Sequence, residues 1–264
     1  MKILVTGHKG FIGNHILKSL NEHEKLSFEW GDKFPNLKGV DWVIHIGAIS
    51  STTEKNVEKI MAQNYDFSCE LLDKCIDSNI NFQYSSSASI YGLNEQFTED
   101  SPVDPRTPYA WSKYIFERYA ATKYELAKEK DISIQGFRYF NVYGDGEEHK
   151  GNQASPYTQF LRQANETGVI KVFEDSQNYL RDFVHVNKVV EVHKKFLKIK
   201  STGIYNIGTG TARSFMEVAA IIATQTGATI QEIPMPQELL HSYQKYTCAD
   251  LTNLTKTINE HLST

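Results

Sequence analysis

Tyr109 and Lys113 stand four residues apart in the stretch Tyr109-Ala-Trp-Ser-Lys113. On a helix that spacing shares one face, so an ammonium beneath the phenol would favour the ionised form and make the tyrosine a usable base near neutral pH. An amphipathic helix with an exposed lysine shows the same pattern. A second constellation is Gly7-His8-Lys9-Gly10-Phe11-Ile12-Gly13. Glycines there permit a tight turn and close approach of backbone N–H groups to a pyrophosphate, and a following helix adds partial positive charge at its N-terminus. A third is the serine turn Ser85-Ser86-Ser87, because hydroxyls at the C-terminal end of a parallel strand are where an α/β sheet places substrate groups.

These residues need a sheet and helices to hold them. The apolar run Lys2 to Thr6 predicts a strand, and Ile16, Leu17 and Leu20 recur behind the glycines at helical spacing. A second strand is predicted over Leu26 to Gly31, ending at Asp32-Lys33. Asp32 could accept from the ribose hydroxyls of a dinucleotide, whereas Lys33 could face a 2′-phosphate, so these residues leave NAD and NADP both open. Asp41 to Ala48 reads as a buried strand whose small terminal residues would let a cofactor lie against the backbone. The short segment before it, with Pro35 and Gly39, cannot hold a helix, a strand and their connections, since a crossover takes at least roughly 10–12 residues. A sheet with a trimmed edge is expected.

A long helix is predicted from Val57 to Ser78 and a strand from Phe82 to Ser86, after which Pro102, Pro105 and Pro108 lead into a helix beginning near Tyr109. Another strand covers Ile132 to Phe137 and runs into Arg138-Tyr139-Phe140-Asn141-Val142-Tyr143-Gly144, and Asp145 to Asn152 is a loop. Beyond it, helices near Thr158–Glu166 and Phe215–Thr226 alternate with short β-runs at Lys171–Phe173 and Ile204–Ile207. That pattern is read as a smaller lobe.

A length of 264 residues suits one large domain or a domain with a small lobe. The formal net charge of −4 argues against a nucleic-acid partner. Cys69, Cys75 and Cys248 have neither even pairing nor ligand spacing, so neither a disulfide framework nor a metal site is expected. With no apolar run of membrane-spanning length and no signal-like start, the expected location is cytoplasmic, without a membrane partner.

Taken together, Thr6-Gly7-x-x-Gly10-Phe11-Ile12-Gly13, the serine turn before Tyr91-Gly92, Tyr109-x-x-x-Lys113 and the Arg138–Gly144 segment resemble the extended short-chain dehydrogenase/reductases that modify nucleotide sugars, the NAD-dependent epimerase/dehydratase family. Tyr179 to Val186 and Tyr205 to Gly208 look like its later segments. The resemblance implies a Rossmann-like, doubly wound parallel α/β sheet, here with one helix and strand missing after Asp32, and a small C-terminal substrate lobe. Residues 1–145 with parts of 180–210 would form the dinucleotide-binding domain and 146–264 mainly the nucleotide-sugar lobe.

Within the family, Ser50 to Glu54, Glu147-Glu148-His149-Lys150-Gly151 and the tail from Tyr243 to Leu254 are similar to the branch that epimerises ADP-heptose at C6. This implies NADP as the favoured cofactor with NAD open, ADP-D-glycero-D-manno-heptose as substrate, a role in lipopolysaccharide synthesis, and leaves a homo-oligomer open. The alternatives are a 4-epimerase or reductase of the same family, or a cofactor-binding protein of reduced activity. A 4,6-dehydratase is disfavoured because such relatives carry Asp and Glu after a Thr where this chain has Ser86-Ser87-Ala88. The chain departs from the branch at Asp145-Gly146, where Pro-Arg is usual, and its end at Thr264 suggests a lost terminal helix.

The same resemblance implies Tyr109 as general base, Lys113 beside it, Ser87 on the reacting oxygen and Lys150 as a second catalytic group. Cofactor contacts are implied for the glycine loop residues, for Asp32 and Lys33, for Ile46, Gly47, Ala48 and Ser50, and for Asn64, Ser85 and Val142. Substrate contacts are implied for Asn141, Asn152, Gln159, Phe173, Glu174, Ser176, Arg181 and Tyr243. Arg181 also has a physical reason, since its guanidinium can clamp a diphosphate through two bonds.

Overall fold

The computed structural model describes residues 1–51, 54–237 and 243–262. Thr52 and Thr53, part of the branch-specific stretch, and the chain's end at Thr264 lie outside them. Six parallel strands form the central sheet: β1 (Lys2–Thr6), β2 (Glu24–Phe28), β3 (Trp42–His45), β4 (Asn81–Ser87), β5 (Ile134–Tyr139) and β9 (Gly203–Ile207). Their order is β2-β1-β3-β4-β5-β9, so the chain leaves β1 in one direction, returns past it, and creates a crevice where the winding reverses.

Because such strands are buried on both faces they carry continuous apolar runs, as in the fully buried Ile3, Leu4, Val5 of β1 and Val43, Ile44 of β3. One face packs on α3 (Phe67–Asp77), α4 (Pro108–Ala121) and α5 (Tyr124–Glu129) through Leu71, Leu72, Phe82, Phe116 and Ala127. The other carries α1 (Phe11–Ser19) and α7 (Val186–Phe196), where Ile16, Val189 and Phe196 are buried. Each such side chain contributes about 1.5–3 kcal/mol on leaving water.

The sheet ends at β2, and residues 29–41 form neither helix nor strand. Rings close this edge instead: Phe28 meets Phe34 at 5.2 Å and Phe67 at 5.4 Å. β2 starts and stops earlier than the expected Leu26–Gly31, at Glu24 and Phe28, because its register follows β1 residue by residue from Lys2↔Glu24 to Thr6↔Phe28. The single helix expected over Val57–Ser78 is α2 (Val57–Met61), a π-helical turn (Ala62–Asp66) and α3.

A second unit contains α6 (Pro156–Thr167), α8 (Phe215–Thr226) and the parallel pair β7 (Val169–Phe173) and β11 (Thr229–Ile233). β6 (Asn141–Tyr143), β8 (Leu180–His185) and β10 (Ala212–Ser214) form a three-stranded sheet. Ser155 caps α6 through Thr158 N–H, and Ser214 with Glu217 forms a capping box on α8. A helix occupies Thr252–Leu262, and Leu254 on it packs into the cluster of Phe196 and Tyr205. No helix among the described residues is long and apolar enough to cross a membrane.

Candidate active site

A cleft opens where β1 and β3 end. Gly7 has φ +71°, and a Cβ there would fall 2.5 Å from Gly47 Cα, so only glycine lets the turn rest on the backbone after β3. At Gly13 a Cβ would meet the Gly7 carbonyl oxygen at 2.1 Å. The turn is thereby pressed between β3 and α1. Gly10 caps α1 without a side-chain acceptor for its first N–H groups, and Phe11, Ile12 and Gly13 line the cleft. This cradle fits a pyrophosphate. The opposite wall is Ile46, Gly47, Ala48 and Ser50.

Tyr109 and Lys113 face the same cleft from α4, and Ser85 and Ser86 from the end of β4. Thr107 caps α4 through Ala110 N–H. Tyr109 receives a hydrogen bond from Ser87; burial raises its pKa and that bond partly lowers it. Lys113 was expected to do the lowering, but its Nζ donates to the Ser85 carbonyl at 2.9 Å and to Ser85 Oγ at 3.2 Å. Burial pulls the Lys113 pKa down to about 8, with Glu117 opposing. Glu117, one turn on, accepts from Ser86 Oγ at 2.5 Å and pairs with Arg138 at 2.7 Å.

Lys150 reaches the cleft from the turn Glu148–Gln153. Its Nζ lies 4.5 Å from the Phe11 ring centroid and 3.7 Å from Glu147 Oε2, and burial lowers its pKa against the pull of Glu147. Glu147 is buried and accepts from Gly144 N–H, Ser155 N–H and Oγ, and Thr158 Oγ1, which anchors the turn to α6. Tyr139 also lines the cleft. Its hydroxyl is 2.6 Å from His193 Nε2, and burial raises its pKa well above the ordinary value. His193, held neutral by burial with a pKa of about 3, gives its Nδ1 proton to Gln83, so Nε2 accepts from Tyr139. Tyr139 therefore has its proton committed, and Tyr109 is the better-placed base of the two.

A second pocket lies in the smaller unit, lined among others by Gln159, Phe173, Ser176, Phe215 and Tyr243. Ser176 Oγ is buried without a partner. Arg181 does not line this pocket; its guanidinium lies behind two lining rings, 5.3 Å from Phe215 and 5.2 Å from Tyr243. An ion pair with Asp182 is not formed, because Asp182 accepts from Thr209, Gly210 and Ala249 N–H groups.

Several expected contacts fall elsewhere. Asp32 and Lys33 do not line the cleft, since β2 ends at Phe28 and the acidic residue next to it is Glu29; Asp32 instead lies 4.0 Å from Lys9 Nζ. Asn64 is buried in the π-helical turn, where it bonds Ile49 N–H at 2.8 Å and Ser112 Oγ at 3.0 Å. Ser112 Oγ in turn donates to the Tyr109 carbonyl, so Asn64 ties the β3 loop to α4. Val142 packs against the cluster around Tyr139 and Val184. Asn141, Asn152 and Glu174 line neither cavity, although Asn152 O accepts from Gln159 at 3.2 Å. The sequence reading missed Glu29, Trp30, Gln63, Phe67 and Tyr139 as cleft residues; the end of β2, placed too late, was the signal for the first two.

A family description, NAD dependent epimerase/dehydratase, matches residues 26–208. The ADP-L-glycero-D-manno-heptose-6-epimerase of Brachyspira hyodysenteriae is 37% identical, with 96% of this chain and 90% of the relative covered. Among solved structures, the Helicobacter pylori ADP-L-glycero-D-manno-heptose-6-epimerase superposes with a TM-score of 0.85 at 25% identity, over 98% of this chain and 90% of that one. The Methanobrevibacter ruminantium UDP-N-acetylglucosamine 4-epimerase reaches the same TM-score of 0.85 at 21% identity, covering 97% of this chain and 91% of that one.

Proposed function

This chain belongs to the NAD dependent epimerase/dehydratase family, and within it we propose that it is a nucleotide-sugar epimerase inverting C6 of ADP-D-glycero-D-manno-heptose. A nicotinamide cofactor, when bound along the glycine turn, supplies reversible hydride acceptance. Tyr109 Oη takes the proton of the sugar hydroxyl and gives it back, and Ser87 holds the reacting oxygen. Lys113, tethered to Ser85, keeps positive charge close to this centre. Lys150 serves the second face, where its ammonium donates to the C6 oxygen and stabilises developing negative charge. Tyr243 and Ser176 hold the nucleotide, with Arg181 behind the Phe215 and Tyr243 rings.

The observation that carries the reading is that Lys150, from a loop in the second half of the chain, opens into the same cleft as Tyr109 and Lys113. Two proton-handling groups on one pocket suit a reaction that must address both faces of one carbon. The test is to incubate the protein with ADP-heptose and follow the C6 configuration by NMR, with Tyr109→Phe as control. Interconversion abolished by the substitution is expected; turnover only of a C4-epimer pair, or an unchanged rate in Tyr109→Phe, sinks the assignment.

A further inference from the structure

We propose that the turn carrying Lys150 is a strap across the mouth of the cleft, fastened on its far side by Gln153, which opens to let a dinucleotide in or out and closes for turnover. The inference rests on the nicotinamide-cofactor reading above and not on the identity of the sugar.

The strap is rooted in the second unit. Glu147 accepts the Ser155 N–H at 2.7 Å, which closes the base of a loop over residues 148–154. Gln159 on α6 stiffens it, donating to the Asn152 carbonyl at 3.2 Å and to the Ala154 carbonyl at 2.7 Å. From that base the loop reaches both walls of the cleft. Lys150 Nζ lies 4.5 Å from the ring centroid of Phe11, at the start of α1. The Gln153 amide donates to Ser51 Oγ at 2.9 Å, on the segment after β3 and next to Ser50, which lines the opposite wall. A ligand running from the glycine turn to Tyr109 passes between these walls, where the loop bridges them.

The base is firm and the tip is not. Glu147 is buried and accepts from Gly144, Ser155 and Thr158, whereas Asn152 and Gln153 are exposed. Both wall contacts, a cation over a ring and an amide on a hydroxyl, are of the weak kind made at a wet surface. Gly151 stands between them with φ +54° and ψ −121°. Nothing lies within 4 Å of where its Cβ would be, so the backbone can turn there without meeting packed atoms.

The closed arrangement is also tight. The cleft holds about 230 Å³, less than the roughly 300–1,000 Å³ of pockets that take drug-sized ligands, and a dinucleotide is larger than those. Because Lys150 rides on the strap, closing it and bringing the ammonium to the reacting centre are one event, which completes the site only when the cleft is covered.

The test reads dinucleotide exchange, without sugar. Radiolabelled NAD is loaded, and its release into excess unlabelled NAD is timed for wild type, Gln153→Ala and the double variant Ser51→Cys/Gln153→Cys. The double variant is measured before and after its two new thiols are joined by a short bis-thiosulfonate, and again after reduction. Wild type given the same reagent controls for Cys69, Cys75 and Cys248. Gln153→Ala should release NAD about fivefold faster, as expected for one hydrogen bond lost from the closed form. The joined protein should release it at least about tenfold more slowly and recover on reduction. A release rate unmoved in Gln153→Ala, or unmoved by joining the thiols, overturns the strap; if the thiols do not join, the Gln153→Ala rate decides alone. Exchange that behaves as expected in a protein that leaves ADP-heptose unchanged sinks the proposed substrate and keeps the strap. A protein that takes up no NAD overturns the cofactor reading and this inference with it.

Discussion

Lys113→Met should make the cofactor-free protein more stable while removing its activity. The Lys113 ammonium is 6% exposed, and burial lowers its pKa from 10.5 to about 8. At 1.36 kcal/mol per unit, keeping it charged in the fold costs about 3 kcal/mol. Methionine fills a similar volume without that cost, but it removes the donor to the Ser85 carbonyl, worth about 1 kcal/mol. A net gain of about 2 kcal/mol at pH 7 follows.

A base whose folded pKa lies below its unfolded value binds fewer protons when folded, so stability rises with pH between the two values. Below about 8 the full penalty stands. Between about 8 and 10.5 the folded lysine releases its proton and the penalty fades. The advantage of Lys113→Met should therefore shrink by about 2 kcal/mol at pH 10. Urea unfolding of the stripped proteins at pH 7 and pH 10 measures both numbers. A variant less stable than wild type at pH 7, or a difference that does not shrink, would refute the reasoning.

Glu117→Ala leaves the Arg138 guanidinium buried without its carboxylate and should cost about 3–5 kcal/mol, read as a lowered urea midpoint. Glu147→Ala strips the acceptor from Gly144, Ser155 and Thr158; a loss of about 2–4 kcal/mol and a fall in kcat are expected, because Lys150 loses its tether, and unchanged steady-state kinetics would argue against that link. Gly13→Ala puts a methyl 2.1 Å from the Gly7 oxygen, and should destabilise by about 1–3 kcal/mol and weaken dinucleotide binding, measurable by calorimetry.

What could be seen in the sequence, and what could not, follows from the range of the interactions concerned. The glycine turn, the serine turn and the Tyr109 helix were legible because each is defined by local chemistry: a φ that needs glycine, a strand end, a proline-led helix start. The short connection before β3 was legible as well, from the length of the segment alone: residues 29–41 form neither helix nor strand. The end of the second strand was placed too late, because it is decided by pairing with β1, from Lys2↔Glu24 onward, and not by the apolar residues up to Gly31; Asp32 therefore falls outside the cleft, which Glu29 lines.

Asn64 illustrates the same limit from the other side. Its i,i+3 and i,i+4 neighbours read as a plain helix, yet a π-helical turn swings its amide into bonds with Ile49 and Ser112. The amide thus connects the loop that walls the cleft to the helix that carries Tyr109, a coupling between segments distant in sequence that no periodicity records. The same loop is tied a second time, by the Gln153 amide that donates to Ser51 Oγ at 2.9 Å from the turn carrying Lys150. The segment after β3 is thus held against both the Tyr109 helix and the Lys150 turn by side-chain bonds rather than by strand pairing.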